Sequence, residues 1–250
     1  MKSKTIEPAS REHGHLSRRT FLSVASAVIG LGILRESLFG NLAYADALTK
    51  EQRDKMTPEE ILTEMKRGNE RFRKGERRAR DFLKEQQSSA AGQYPAAVVL
   101  SCIDSRGPAE IIMDLGIGDI FNARVAGNIA NSDILGSMEF ACQVAGAKVV
   151  LVMGHTACGA IKGAIDNVEL GNLTGLLAKI KPAVKATSFK GNRSSKNIAF
   201  VDAVARKNVE LTMAGIRKNS VVLKELESKG AIKIAGSMYD LETATVDFFA

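Results

Sequence analysis

Cysteine and histidine are scarce in this chain, which has 250 residues and only three of each. The cysteines are Cys102, Cys142 and Cys158. An odd number of cysteines without regular spacing argues against a disulfide framework. His13 and His15 stand near the N-terminus, so His155 is the only histidine in the remaining sequence. Internal repeats, heptads and low-complexity tracts are also missing, which excludes solenoids and coiled coils.

Long apolar runs are missing too. The run at residues 21–34 is too short to span a bilayer comfortably. It directly follows Arg18 and Arg19 in "SRRTFL", which resembles a twin-arginine export signal, and "AYA" ends at Ala45 with the small residues that a signal peptidase reads. We therefore expect residues 1–45 to be a signal peptide cleaved after Ala45, and a periplasmic protein with no stable membrane anchor. An uncleaved anchor is the alternative.

Charge does not indicate a polyanion partner. The formal net charge is +7, but residues 1–45 hold six of the 35 basic and three of the 28 acidic residues, which leaves +4 for the rest. The basic residues are neither concentrated on one helix nor interleaved with aromatics, and no nucleic-acid motif is present. We therefore expect no nucleic-acid binding. A composition that is 45% hydrophobic suits one globular domain, here residues 46–250.

Short apolar, β-branched runs alternate with helical patterns along this domain. The strands are expected in "YPAAVVLS", "DIFNARVAG", "KVVLVMGH", "AIKIAGSMYD" and "ATVDFF". An amphipathic helix is expected over residues 57–75, a polar connector over residues 79–93, and a helix over residues 157–170. Strands that alternate with helices predict an α/β fold with a mainly parallel central β-sheet flanked by helices.

Two of the predicted strands end in residues that can bind a metal. Cys102 follows one strand, and His155 and Cys158 follow another. Ligand sites in such folds lie beyond the carboxyl ends of the strands. Two thiolates and one imidazole are a common zinc set, and three protein ligands leave a fourth position open, as in catalytic sites. Taken separately, each is more often a core cysteine or a capping histidine.

The motifs around these residues occur together in one family. "CIDSR", "RVAGN" and "GHTACGA", with "EEILTEMKRGNERF" upstream and "MYDLETATVDF" downstream, resemble the β-class carbonic anhydrases. The resemblance covers residues 57–249 in the family's order. It implies a zinc-dependent carbonate dehydratase that converts carbon dioxide to bicarbonate and a proton.

The resemblance also implies the site. Cys102, His155 and Cys158 would bind one zinc ion per subunit, and Asp104 with Arg106 would form the catalytic dyad. Zn(II) with two thiolates and a neutral imidazole is formally neutral, so it acidifies water less than a three-histidine site does. A carboxylate that orients the attacking water is then valuable, and Asp104 fits that role if Arg106 keeps it ionised.

Four further positions match substrate-binding positions of the family: Gln93, Phe121, Ala126 and Gly159. The glutamine often comes from the partner subunit in this family. Phe140 stands where some members have a tyrosine, so a hydrogen bond from that hydroxyl is absent. The family implies a homodimer or a dimer of dimers, with helix 57–75 as the arm that reaches the partner.

Three other functions remain open at this point. The same scaffold could hydrolyse carbonyl sulfide or carbon disulfide, since related enzymes with these ligands do so. A zinc protein could bind bicarbonate without turnover, although Asp104 and Arg106 argue against that. Cys102 could act as a nucleophile with Arg106 as an anion clamp.

Overall fold

The computed structural model describes residues 47–249, and its centre is a five-stranded sheet. The strands are β1 (Ala97–Ser101), β2 (Ile120–Arg124), β3 (Val149–His155), β4 (Lys233–Tyr239) and β5 (Val246–Phe249). Their order across the sheet is β2-β1-β3-β4-β5; the first four are parallel and β5 is antiparallel to β4. The predicted α/β fold with a mainly parallel sheet is confirmed. The expected signal peptide lies outside the described residues.

Ten α-helices connect or flank the strands within residues 47–249. They are α1 (Lys50–Lys55), α2 (Pro58–Lys74), α3 (Phe82–Ser89), α4 (Ala109–Ile112), α5 (Ser132–Glu139), α6 (Gly159–Ile165), α7 (Gly171–Ala178), α8 (Lys181–Ala186), α9 (Ile198–Asn219) and α10 (Val221–Ser228). A short 3₁₀-helix forms at Ala126–Asn128 and a short π-helix at Phe140–Val144. In this part of the chain, no helix is long and apolar enough to cross a membrane.

Successive side chains of a strand point to opposite faces of the sheet and pack in two separate core clusters. Val99 and Leu151 pack with α2 and α4 on one face of the sheet. Val98 and Val150 pack with α5, α9 and α10 on the other face. Both faces are covered, as a parallel sheet requires, so the central strands β1 and β3 are buried along their whole length. A third cluster at the carboxyl edge contains Cys102 and Cys158, and it joins that edge to helices α6 to α9.

Helix α2 is the amphipathic helix expected over residues 57–75. Thr57 caps its N-terminus in a capping box with Glu60, and Gly75 caps its C-terminus with a left-handed φ of 72°. Its apolar residues Ile61 and Met65 are buried against the sheet of the same chain. The apolar face of this helix is therefore covered within the chain, and the expectation that the helix reaches a partner stays a prediction.

Two elements differ from the sequence-based expectation. Helix α3 forms inside the segment 79–93, which we expected to be a connector, and its Glu85 is buried. The helix expected over residues 157–170 begins at Gly159 and ends at Ile165. The buried residue of α3 is Glu85, a carboxylate that pairs with Arg80, and not an apolar residue. The segment therefore shows no apolar face, and hydrophobic periodicity could not predict this helix.

Candidate metal centre at the carboxyl edge of the sheet

Adjacent parallel strands bring the three expected metal ligands together. Strands β1 and β3 pair with Ser101 opposite Met153, so Cys102 and His155 leave the sheet at the same edge. Cys158 is the residue at the N-terminal cap of α6, three residues after His155. The ligand atoms of the three residues lie within 4.8 Å of one another, and the two Sγ atoms are 4.0 Å apart. All three side chains are buried.

The imidazole of His155 is oriented by the chain itself. Its Nδ1 lies 2.9 Å from the carbonyl oxygen of Thr156, and this contact assigns the ring proton to Nδ1. The other nitrogen, Nε2, is buried and has no hydrogen-bond partner among residues 47–249. A buried acceptor beside two thiols is what a tetrahedral metal ligand set requires. The donor set therefore fits zinc.

The two cysteines divide one negative charge unequally. The hydrogen bond from the Cys158 thiol, helped by the backbone N–H of Gly127, lowers the pKa of Cys102 to about 4. The hydrogen bond to Cys102 and burial raise the pKa of Cys158. Two thiolates 4.0 Å apart would repel each other, so the two cysteines do not ionise together. Cys102 has the lower pKa and therefore forms the first thiolate. A divalent cation between the sulfurs would stabilise both as thiolates.

Asp104 and Arg106 form a bidentate ion pair next to these ligands. Arg106 donates from Nε to Oδ1 at 2.9 Å, from Nη2 to Oδ2 at 2.7 Å and from its backbone N–H to Oδ1 at 3.0 Å. These bonds hold the pKa of Asp104 well below its usual range. Asp104 Oδ2 is also 3.8 Å from Nε2 of His155, so an ionised carboxylate faces the ligand cluster.

Arg124 supports this loop, and the sequence analysis assigned it no role. Its guanidinium donates to the carbonyl oxygen of Cys102 at 3.0 Å and to that of Asp104. Arg124 is the last residue of β2 and lies opposite Ser101 of β1. The register of parallel strands was the signal that could have found it, because it places Arg124 beside the residue that precedes Cys102.

Gly127 acts through its backbone. Its φ of 68° lies in the left-handed region, and its N–H donates to Sγ of Cys102 at 3.3 Å. A Cβ at this position would lie 2.5 Å from Cδ1 of Ile180. Only glycine combines this backbone conformation with such close packing.

The four expected substrate-binding residues separate into two pairs. Ala126 precedes Gly127 and Gly159 follows Cys158, so both stand at the carboxyl edge. Gln93 precedes β1 at the opposite edge of the sheet, where it shares a surface depression with Gly118. Phe121 lies inside β2 opposite Val98. A single chain therefore does not bring Gln93 or Phe121 to the metal ligands.

Comparisons with known proteins agree with this arrangement. The sequence model of the family described as carbonic anhydrase matches residues 97–246. Carbonic anhydrase 2 of Mycobacterium tuberculosis is 34% identical over 184 residues, which are 71% of this chain and 86% of that protein. The carbonic anhydrase of Mycolicibacterium smegmatis is 31% identical over 185 residues, 73% of this chain and 89% of that protein.

Solved structures show the same fold. One of two tetrameric β-carbonic anhydrases from the ascomycete Sordaria macrospora aligns with a TM-score of 0.57 and 24% identity, over 66% of this chain and 85% of that chain. The family model and the two relatives show the family, and the solved structure shows the fold. The chain belongs to the β-class carbonic anhydrases.

Proposed function

We propose that the protein catalyses the reversible hydration of carbon dioxide with one zinc ion per subunit, held by Cys102, His155 and Cys158. The observation that carries this proposal is Nε2 of His155, which is buried without a hydrogen-bond partner in the described chain, on a ring that has a nitrogen within 4.8 Å of both sulfurs. Zinc bound there supplies the Lewis acidity that makes water a nucleophile near neutral pH.

Asp104 and Arg106 would control the attacking water. An Asp104 carboxylate held ionised by Arg106 can accept a hydrogen bond from that water but cannot donate one. It would therefore fix the position of the proton and turn an oxygen lone pair toward the carbon of CO2. Arg106 acts through Asp104, because its guanidinium makes the two bonds that hold both carboxylate oxygens.

A second copy of the chain would complete the substrate pocket. Gln93 and Phe121 are far along the sheet from the ligands of their own chain, so only a partner could bring them there. Phe121 packs edge-on against Phe140, with ring centroids 6.3 Å apart. Phe140 and Val144 are 51% and 71% exposed, and this apolar surface supports a homodimer or a dimer of dimers. Ala126 and Gly159 would line the pocket from the chain that holds the metal.

Residues 1–45 would direct the protein to the periplasm by the twin-arginine route. Replacing Arg18 and Arg19 with lysine should leave a folded, zinc-loaded enzyme in the cytoplasm, because the arginine pair would serve only as an export signal. Periplasmic activity at the normal level after this change would refute the proposed route.

Metal analysis combined with stopped-flow hydration of CO2 tests the function. We expect about one zinc per subunit and rapid hydration. Zinc without turnover would indicate a bicarbonate-binding protein, and zinc-free protein with an alkylatable Cys102 would indicate a thiol enzyme. Rates measured on carbonyl sulfide and carbon disulfide compare those gases directly with CO2.

A further inference from the structure

One helix contacts both loops that carry the metal ligands. The first half of helix α9 lies at the carboxyl edge of the sheet, where its buried residues Phe200, Val201 and Val204 belong to the same cluster as Cys102 and Cys158. Two polar side chains of this helix, Asp202 and Asn208, form hydrogen bonds with backbone groups beside the ligands. Neither residue belongs to the ligand set or to the Asp104–Arg106 pair.

Asp202 binds the turn between His155 and Cys158. Its Oδ1 accepts the N–H of Ala157 at 2.7 Å. Ala157 has a φ of 53°, a left-handed conformation that an alanine rarely adopts. Such a conformation persists only where surrounding contacts hold it. The bond to Asp202 is one of these contacts, and the conformation of Ala157 determines how the imidazole and the Cys158 sulfur face each other.

Asn208 binds the loop that faces Cys102. It is buried, and its Nδ2 donates to the carbonyl oxygen of Gly127 at 2.7 Å. The N–H of the same Gly127 donates to Sγ of Cys102 at 3.3 Å. A displacement of Gly127 would therefore remove a hydrogen bond from Sγ of Cys102.

We propose that α9 is a clamp for the metal centre, in which Asp202 and Asn208 are positioning residues that hold the His155–Cys158 turn and the Cys102 sulfur in one zinc-binding geometry. The inference rests on the proposed zinc site. It assigns Asp202 the role of a hydrogen-bond acceptor, so an amide oxygen at that position suffices. It also assigns the two residues to different ligands, so their effects are independent.

Four variants of the zinc-loaded protein test the clamp. Asp202→Ala and Asn208→Ala each remove one bond, whereas Asp202→Asn keeps an oxygen in reach of Ala157. Glu210→Ala is the matched control, since Glu210 is on the same helix and pairs only with Arg206 and Lys207 among the described ion pairs. The readouts are the rate of zinc release to a chelator and the absorption spectrum of the cobalt(II)-substituted protein, with melting curves to monitor folding.

We expect Asp202→Ala and Asn208→Ala to release zinc about 10-fold to 100-fold faster, the usual effect of losing a residue that orients a metal ligand. Both should shift the cobalt spectrum, and the double variant should multiply the two effects. Asp202→Asn and Glu210→Ala should match the unmodified protein. If Asp202→Ala folds poorly, adding Ala157→Gly should restore slow release, because glycine adopts the left-handed conformation without support.

The clamp is refuted if both alanine variants release zinc at the unmodified rate with an unchanged cobalt spectrum. Fast release from Asp202→Asn would also overturn it, because charge and not the hydrogen bond would then be responsible. Failure of the proposed zinc site gives a different result, since the unmodified protein would then contain no stoichiometric zinc. Zinc without turnover would refute the proposed catalysis alone, and zinc release would still test the clamp.

Discussion

The two edges of the parallel sheet both bury charged and polar side chains, but they treat them differently. At the amino edge, Asp114 is fully buried and accepts from Nε of Arg71 at 2.6 Å and from the backbone N–H of Arg78 at 3.2 Å. Arg80 and Glu85 form a second pair at 2.8 Å, with side chains only 3% and 1% exposed. Each charge at this edge has an opposite charge beside it.

At the carboxyl edge, the buried groups are not all matched by one another. Nε2 of His155 has no hydrogen-bond partner within residues 47–249, and it faces two thiols whose pKa values diverge. At the amino edge, Arg80 Nε and Asp114 Oδ1 also lack a hydrogen-bond partner within residues 47–249, but each belongs to an ion pair, which is a structural arrangement. At the carboxyl edge the unpartnered imidazole nitrogen lies beside two thiols, and this donor set indicates a metal site. The comparison therefore separates an edge that stabilises the chain from an edge that binds something.

The largest effect is expected from removal of a metal ligand. Cys102→Ala should lose zinc and CO2 hydration together, because three protein ligands leave no replacement. Cys142→Ala is the matched control: Cys142 is also buried, burial raises its pKa to about 12, and it packs in the core with α5 and α9. Metal content and hydration rate check both variants. Full zinc content in Cys102→Ala would show that the ligand set is wrong.

Asp104→Asn should keep zinc and lose turnover by about 10²–10⁴-fold, the usual contribution of a general base or orienting group. The amide can donate a hydrogen bond where the carboxylate only accepts. Arg106 lowers the pKa of Asp104, so the carboxylate is ionised throughout the neutral range and protonates only as pH falls below its ordinary range.

The acid limb of the pH–rate profile should therefore not belong to Asp104 in the unmodified enzyme. Arg106→Ala tests this point, because it should move the pKa of Asp104 back up toward its ordinary value of about 3.9. A near-normal kcat for Asp104→Asn at neutral pH would contradict the assigned role.

A change at the amino edge should act on stability instead. Asp114→Asn keeps the left-handed backbone, with φ 50°, which asparagine tolerates, but removes the charge that faces Arg71. Breaking a buried ion pair costs about 3–5 kcal/mol, and the low end applies because Arg71 keeps some contact with water. Urea unfolding should show this loss while zinc content and kcat/KM stay unchanged. A loss of zinc from Asp114→Asn would contradict this expectation, because it would show that the amino edge also supports the metal site.

The sequence predicted the carboxyl edge better than the amino edge. Cys102 and His155 could be placed together because each ends an apolar run, and the carboxyl ends of parallel strands lie at one edge of a sheet. Arg80 and Glu85 could not, since they lie in a polar segment and become buried only by pairing with each other. Arg124, Asp202 and Asn208 were missed for a related reason: they bind backbone groups of distant loops, and such contacts leave no spacing pattern in the sequence.

The smallest expected effect concerns the proton that each hydration releases. Histidine commonly carries such protons, because its unperturbed pKa lies near physiological pH. Residues 46–250 contain only His155, which as a neutral ligand cannot do so. Tyr94 and Tyr239 are the tyrosines of that region, and burial raises the pKa of Tyr239 further above neutrality.

Solvent buffer should therefore take the proton. We expect kcat to rise several-fold as buffer concentration increases, whereas kcat/KM, which reports the attack on CO2, should hardly change. Stopped-flow measurements at constant pH and ionic strength check this, with a buffer whose pKa lies far from the assay pH as the control. Saturation of kcat at about a millimolar of buffer would mean that the protein carries its own proton relay.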